Sequence, residues 1–321
     1  MVPMASAPSH LREFLIYTET IKGKSKKTAQ EYFLDLRIFL RFLKHHKAAV
    51  PADMPFDDIP IEDVDISVIR AVSLLDLYEY MNFLQNDRAL SARSRARKVA
   101  SIRSYFKYLY TRAKLIDADP AQNLDSPGIR KSLPVHLTLT ESQTLLNSVN
   151  GANKERDFAI LTLFLNCGMR LSELVGINTG DIREDTVRVV GKGNKERTIY
   201  LNSACTDAIA AYLAVRPANG IKDKKALFIS REKQRISVKT VQWLVKKYIT
   251  QAGLDPARYS VHKLRHTAAT LMYQYGQVDI RALQEILGHE QLSTTEIYTH
   301  IDNKNLRNAV RANPLSDFKP E

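Results

Sequence analysis

Helical patterning fails in segment 117–138 of this 321-residue chain, and this interruption divides the sequence into two parts. Chain-breaking residues concentrate there among serine and aspartate, at Pro120, Pro127, Gly128 and Pro134. Such a composition is typical of a linker. The chain is longer than one ordinary domain, and its 44% apolar residues suffice for two modest cores. The sequence therefore predicts an N-terminal domain (1–117), a linker (118–137) and a C-terminal domain (138–321).

The charge of the chain indicates a polyanionic partner. A formal net charge of +12 and a pI near 9.5 attract polyanions over long range, and nucleic acid is the partner expected of such a protein. A merely basic protein is the alternative. No apolar stretch approaches the roughly 18 residues that span a bilayer, and the N-terminus lacks a signal-peptide pattern, so we expect a cytoplasmic protein. Cys167 and Cys205 are interpreted as packing residues.

Three segments of the N-terminal domain have helical spacing, namely 28–47, 73–86 and 91–114. The third begins with a plausible cap at Ser91 and combines an apolar stripe with a dense basic face. The basic face is formed by Arg93, Arg95, Arg97, Lys98 and Arg103. A helix with one buried face and one basic face is suited to lie against a DNA backbone, so these five residues are predicted DNA contacts. The alternative is a solvated basic face without a partner.

The C-terminal domain combines helices with a short β-rich region. Helical spacing occurs near 140–148, near 154–166 and from Leu171 onward, and it returns after residue 203. Residues 186–190 and 197–201 are β-rich and joined by a polar, glycine-containing turn, which predicts a hairpin or small antiparallel sheet. The predicted fold class is mainly α with a small antiparallel β-sheet in the C-terminal domain. Two such lobes on a linker are expected to close around a duplex as a C-shaped clamp.

Several residues of this domain suit phosphodiester chemistry. Cleavage needs an in-line nucleophile, neutralisation of charge on the non-bridging oxygens, and a proton for the leaving oxygen. Arg170 and Arg265 suit the second task, because a guanidinium presents a planar fork of donors and stays charged when partly buried. His289 is a candidate donor to the same phosphate, and Gly288 beside it permits close backbone approach. Glu173 is interpreted as structural, holding Arg170.

Tyr298 is the candidate nucleophile. Its phenol would attack phosphorus and leave a phosphotyrosyl enzyme, which retains the bond energy for later attack by a DNA 5′-hydroxyl. A phenol with a pKa of about 10 is mostly neutral at pH 7, so it needs a proton acceptor, and His262 is the candidate. His266 is equally consistent with a packing role. This chemistry requires no metal ion and no other cofactor, and no clustered carboxylates suggest a two-metal nuclease.

The leaving 5′-oxygen needs an acid, which a lysine at the tip of the predicted hairpin is placed to supply. Lys192 and Lys195 both lie there, and their spacing does not separate them. Lys195 is also a candidate DNA contact.

The order of these residues and the phrases around them resemble the tyrosine recombinases, and most closely their Xer-type branch. The phrases are GMRLSEL at 168–174, GKGNKER at 191–197, HKLRH at 262–266, LGH at 287–289 and STTEIYTH at 293–300. The resemblance covers essentially the whole chain. It implies six catalytic residues with Lys192 as the acid: Arg170, Lys192, His262, Arg265, His289 and Tyr298.

This resemblance implies site-specific recombination of double-stranded DNA through a 3′-phosphotyrosyl intermediate. Protomers would assemble as a tetramer on two DNA sites, alone or with a second related recombinase, and exchange strands through a four-way junction. Xer-type enzymes of this kind resolve chromosome or plasmid dimers. A mobile-element integrase or excisionase is the alternative. A type IB topoisomerase and a non-catalytic DNA-binding protein are less favoured, the latter because it would not need Tyr298. The target DNA sequence and accessory regulators do not follow from the sequence.

The segment after Tyr298 carries a further element. Residues 303–312 place Leu306, Ala309 and Val310 at helical spacing, which predicts a short helix with one narrow apolar face. A helix of about ten residues is marginal alone and must dock somewhere. It can fold back on its own domain or insert into a neighbouring protomer, and the resemblance implies the second, as a C-terminal exchange helix.

Overall fold

The structure is a computed structural model, and it describes residues 6–47, 49–51, 53–129, 135–191, 196–276 and 279–288. Lys192, Lys195, His289 and Tyr298 lie outside the described residues, as does the predicted helix 303–312. The chain divides into two compact units, with the division between residues 131 and 132.

The first unit is helical throughout its described residues. Its helices are α1 (Ser9–Ile16), α2 (Lys26–His46), α3 (Ile66–Arg70), α4 (Leu74–Asn86) and α5 (Ala92–Tyr108), and π-helical turns extend α1 over Tyr17–Ile21 and α5 over Leu109–Ala113. The three helices expected from periodicity are thus present as α2, α4 and α5. Each begins after a serine cap, Ser25, Ser73 and Ser91, whose hydroxyl accepts a hydrogen bond from a backbone N–H three residues on.

The apolar stripes of these helices form the core of the first unit. Phe33, Leu36 and Phe39 of α2 are buried together with Val99 and Ile102 of α5 and with side chains of α1 and α4. The spacing of three and four residues places each stripe on one side of its helix, so burial of that side leaves most of the charged residues outward.

The predicted linker is partly core. Ala121 and Leu124 are almost completely buried in the first unit, whereas Leu137 is fully buried in the second. Helical periodicity fails over 117–124 because the chain turns there instead of continuing a helix, and short turns pack apolar side chains without helical spacing. The N-terminal core therefore extends beyond residue 117, which corrects that end of the predicted linker.

The second unit combines seven helices and three strands among its described residues. The helices are α6 (Leu139–Asn147), α7 (Lys154–Cys167), α8 (Leu171–Gly176), α9 (Ser203–Val215), α10 (Val238–Gln251), α11 (Val261–Tyr275) and α12 (Ile280–Leu287). The strands are β1 (Ile182–Arg183), β2 (Thr186–Val190) and β3 (Glu196–Tyr200), paired antiparallel in the order β1-β2-β3. The mainly helical fold with a small antiparallel sheet is confirmed.

Helix α7 lies at the centre of the second unit and packs against α9 and α11. The sheet buries one face: Val187, Val189 and Ile199 point into the core, while Arg188 and Val190 are exposed. At one end of this core Cys167 and Cys205 are buried free thiols with their sulfur atoms 3.6 Å apart, which agrees with their interpretation as packing residues. Within the described part of the chain, every helix is too short or too polar to span a bilayer.

Candidate active site

Arg170 lies at the junction between α7 and α8. Gly168 ends α7 with a left-handed backbone (φ +58°), a conformation that glycine adopts without steric cost, and the chain turns into α8 at Arg170. The Glu173 carboxylate accepts from the Arg170 backbone N–H at 2.7 Å and from its Nη1 at 2.8 Å. The first turn of α8 thus holds Arg170 through both backbone and side chain, as expected from the interpretation of Glu173.

Glu173 is a buried carboxylate shared by two arginines. Its side chain is fully buried and also accepts from Arg197 of β3, at 3.2 Å from Nε and 3.0 Å from Nη2. Burial acts to raise the pKa of Glu173, but hydrogen bonds and charge from Arg197 and Arg170 outweigh it, so the pKa lies below its ordinary value. Glu173 is therefore ionised at neutral pH and orients both guanidinium groups.

Arg265 joins three helices. It lies on α11, is only 7% exposed, and donates to the Gly168 carbonyl at the end of α7 and to the Leu287 carbonyl at the end of α12, both at 2.6 Å. Helix α12 packs Leu283 and Leu287 against Ala269 of α11. Packing of the apolar face of α12 therefore brings its C-terminus to the two arginines that the sequence singled out.

Three successive carbonyl groups at the end of α12 accept hydrogen bonds from three different arginines. The pairs are Ile286 with Arg197, Leu287 with Arg265 at 2.6 Å, and Gly288 with Arg170 at 2.5 Å. The last carbonyls of a helix have no intrahelical donor and carry partial negative charge, so the arginines stabilise this end. We call this arrangement the arginine cap of α12. Among the described residues, the carboxylate of Glu173 contacts this cap, through Arg170 and Arg197.

Two histidines of α11 lie in different environments. His262 is exposed and lies one turn before Arg265, so both residues are on the same side of the helix. Burial and, after it, the neighbouring positive charges of Lys263 and Arg265 lower the pKa of His266 to about 4. His266 is therefore neutral at pH 7, which agrees with a packing role, whereas His262 is accessible to a substrate.

The structure places three of the six predicted catalytic residues. It brings Arg170 and Arg265 together at the arginine cap and leaves His262 on the exposed side of α11. Lys192 lies outside the described residues, between β2 and β3, and His289 and Tyr298 lie outside them after α12. Arg197, the third arginine of the cap, was not among the predicted residues. Its only signal was its place in the GKGNKER phrase, where an arginine beside the hairpin turn resembles any solvated strand residue.

The basic face of α5 is narrower than the sequence indicates. Arg93, Arg97 and Arg103 are exposed, and Arg95 is half-buried with its guanidinium donating to the Leu90 carbonyl at 2.9 Å. Lys98, in contrast, is 4% exposed.

Lys98 forms a buried ion pair with a residue of α2. Its Nζ donates to Asp35 Oδ1 at 2.8 Å, and the Asp35 side chain is 1% exposed. Ser101 donates to the other oxygen of this carboxylate at 2.8 Å, and Arg97 pairs with it from outside. Since Lys98 neutralises a charge inside the helical core, its assignment to the DNA-facing surface is corrected. Lys195, the remaining predicted contact, lies outside the described residues.

The family of the chain follows from known proteins with similar sequences. Residues 136–305 match the model of the phage integrase family. The chain is 58% identical over 309 residues to tyrosine recombinase XerC of Caldanaerobacter subterraneus, covering 96% of this chain and 88% of the relative. It is 32% identical to tyrosine recombinase XerD of Halalkalibacterium halodurans, covering 95% and 97%.

Solved structures of similar fold include two recombinases bound to DNA. XerH bound to a palindromic difH substrate in a post-cleavage complex has a TM-score of 0.69 at 21% identity and covers 96% of this chain and 97% of that one. The Tn1549 transposon integrase with transposon right end DNA has a TM-score of 0.72 at 18% identity and covers 94% and 98%. These likenesses show the shared fold. From its sequence matches, the chain belongs to the phage integrase family and, within it, to the Xer-type site-specific tyrosine recombinases.

Proposed function

We propose that the protein cuts and rejoins double-stranded DNA at a specific site through a 3′-phosphotyrosyl intermediate, and resolves chromosome or plasmid dimers. The observation that carries this proposal is the arginine cap. Arg170 and Arg265, distant in sequence, meet at the carbonyls that directly precede His289. Two guanidinium forks brought together suit a phosphate whose equatorial oxygens gain charge in the transition state.

In the proposed cleavage step, the Tyr298 phenolic oxygen forms a bond to phosphorus while the bond from phosphorus to the 5′-oxygen breaks. His262 accepts the phenolic proton, and Lys192 donates a proton to the departing 5′-oxygen. Arg170, Arg265 and His289 neutralise the non-bridging oxygens. Attack by the 5′-hydroxyl of a partner strand reverses these changes, so no free energy source is needed for rejoining.

Strand exchange requires several protomers on DNA. We propose a tetramer on two sites, formed by this protein alone or with a second related recombinase, in the cytoplasm. The DNA-bound recombinases among the similar structures support a DNA partner. Similarity to both XerC-named and XerD-named relatives is compatible with either composition of the tetramer.

A plasmid assay tests the proposed function. DNA fragments bound by the protein in cells are mapped, and the bound site is cloned twice in direct repeat on a supercoiled plasmid. Incubation with the protein, with and without a candidate partner recombinase, should yield two smaller circles. Relaxation of plasmids with or without the site, and no smaller circles, would indicate a topoisomerase instead. Binding at the ends of a mobile element, rather than at one chromosomal site, would indicate an integrase.

The basic face of α5 gives a prediction on DNA affinity. Replacing Arg93 and Arg103 by glutamine should weaken binding to every sequence and flatten the plot of log K against log salt by roughly 0.9 per lost phosphate contact. Fluorescence anisotropy at several salt concentrations measures both quantities. Lys98→Met is the contrasting variant: Asp35 loses its buried partner, so the melting temperature should fall while the salt slope stays unchanged. An unchanged slope for the arginine variant would show that this face is only solvated.

The C-terminal segment gives a prediction on assembly. Truncation after Asp302 should preserve binding to a single half-site and abolish higher-order complexes together with strand exchange. Because the predicted helix follows the nucleophile, docking on a neighbouring protomer would make the position of Tyr298 depend on that neighbour. Native gels and the two-site plasmid assay measure the two properties. A truncated protein that assembles and recombines normally would place the helix on its own domain.

A further inference from the structure

We propose that Arg197 is a positioning residue for the cleavage step, which holds Arg170 and the end of α12 in the geometry that the phosphate requires. This proposal rests on the function proposed above. Arg197 lies on β3, opposite Val189 of β2, and its side chain is 17% exposed. Among its contacts are a buried carboxylate and a helix terminus, and each of these also contacts an arginine proposed to bind phosphate.

The first contact acts on Arg170 through Glu173. Arg197 donates two hydrogen bonds to the Glu173 carboxylate, one to each oxygen, which fixes the plane of that carboxylate. The same two oxygens accept from the backbone and the Nη1 of Arg170. Without Arg197, Glu173 would lose two of these four hydrogen bonds and one of the two charges that compensate its burial. The Arg170 guanidinium would then lose its defined orientation, although Arg170 and Glu173 themselves are unchanged.

The second contact acts on the segment that begins at His289. Arg197 Nη1 donates to the Ile286 carbonyl, and the Arg197 side chain lies close to Gly288. A side chain at position 288 would place its Cβ 3.0 Å from Arg197 Cδ and 3.1 Å from its Nε, so Arg197 would have to shift by a few tenths of an ångström. Gly288 also has a left-handed backbone, with φ +62°. Arg197 therefore supports the chain at the turn from which His289 emerges.

The planar fork of arginine is required for both contacts at once. Nε and Nη2 face Glu173 while Nη1 faces Ile286, so one rigid group spans a carboxylate and a carbonyl. Lysine carries the same charge at a single nitrogen and cannot make this pattern of bonds in fixed directions. A lysine at position 197 would supply charge to the site but would not fix the relative position of Glu173 and α12.

The test compares cleavage of two substrates by Arg197→Met, Arg197→Lys and the matched control Arg188→Met. Arg188 lies on the neighbouring strand β2 and is exposed, so its replacement removes the same charge from the sheet without touching the arginine cap. One substrate carries the ordinary scissile phosphate. The other carries a methylphosphonate, which lacks one negative oxygen and therefore has less need of a well-placed arginine. Single-turnover cleavage is measured at saturating protein.

On the ordinary phosphate, Arg197→Met and Arg197→Lys should cleave about 100-fold more slowly than the unmodified protein, the loss typical of a displaced catalytic group, with half-site affinity unchanged. The deficit should shrink by roughly tenfold on the methylphosphonate, since a mispositioned Arg170 matters less there. Arg170→Ala should show the same preference for the neutral substrate. Arg188→Met should match the unmodified protein on both substrates.

Three results would overturn the positioning role. An equal loss on both substrates would mean that Arg197 contributes only to folding, which melting curves would reveal as well. Normal cleavage by Arg197→Lys would mean that the cleavage rate depends only on the positive charge at position 197. A comparable loss of cleavage in Arg188→Met would mean that the rate depends on any positive charge on the sheet. If Arg170→Ala also lost activity equally on both substrates, the proposed role of Arg170 would fail, which is distinguishable from failure at Arg197.

Discussion

Tyr298→Phe should reduce the yield of the covalent complex between protein and DNA by at least about 1000-fold, while leaving DNA binding intact. The substitution removes one oxygen atom, the atom proposed to attack phosphorus, and changes the shape of the side chain very little. A nicked site, from which the short 5′-hydroxyl strand diffuses away after cleavage, traps the intermediate. Denaturing gels then separate the covalent complex from free DNA, and mobility shifts measure binding.

The matched control is Tyr275→Phe, which removes an exposed phenolic oxygen near the end of α11. It should form the covalent complex at the normal rate. A covalent band from Tyr298→Phe would exclude Tyr298 as the nucleophile. Mass spectrometry of that band would identify the residue that carries the DNA. If neither the unmodified protein nor the control formed a band, the phosphotyrosyl mechanism itself would be excluded.

A substrate with sulfur in place of the 5′-bridging oxygen should restore cleavage by Lys192→Ala. Loss of a general acid typically costs about 100-fold to 10,000-fold, and we expect a loss in this range on the oxygen substrate. A thiolate leaves without a proton, so the lysine becomes dispensable on the sulfur substrate. Single-turnover cleavage of both substrates measures the recovery.

Lys195→Ala and Arg170→Ala are the comparisons for this rescue. Lys195→Ala should weaken DNA binding at most, and Arg170→Ala should remain slow on both substrates, because sulfur does not neutralise the non-bridging oxygens. Rescue of Lys195→Ala alone would transfer the acid role to that residue. Rescue of neither lysine variant would place the proton donor outside the hairpin.

The arginine cap connects two of the proposed catalytic residues, Arg170 and Arg265, to the segment that carries His289 and Tyr298. Arg170 and Arg265 bind the end of α12, and that end leads directly to His289 and onward to Tyr298. The two arginines therefore hold the backbone immediately before His289.

Local pattern was sufficient to predict the secondary structure and to propose the residues of the site. Steps of three and four residues in α2 and α5, the serine caps, and the β-rich runs around the hairpin each depend on neighbours within a few positions. Conformational preferences that depend on residues a few positions apart can be predicted directly from the sequence. The candidate residues were likewise evident from residue type and from the family phrases around them.

Only the tertiary structure decided whether particular side chains are buried or exposed and which groups they contact. Lys98 had the sequence context of a DNA-facing lysine, but Asp35, 63 residues earlier, pairs with it inside the core. Arg197 had the context of a solvated strand residue, but the fold places Glu173 and Ile286 against it. Ala121 and Leu124 had the context of a linker and are buried.

The sequence by itself determined the helices, the paired strands and the two-part organisation, and it supplied the candidate residues for action on a phosphate. Tertiary structure alone decided which charged groups are buried, which are paired, and that three arginines meet at the end of α12. The physical reason is that helical and strand patterns arise from interactions along the chain. Whether a charge is buried and paired depends, in contrast, on groups that distant segments of the chain bring next to it. The contribution of that charge to stability is set by the environment that these groups form.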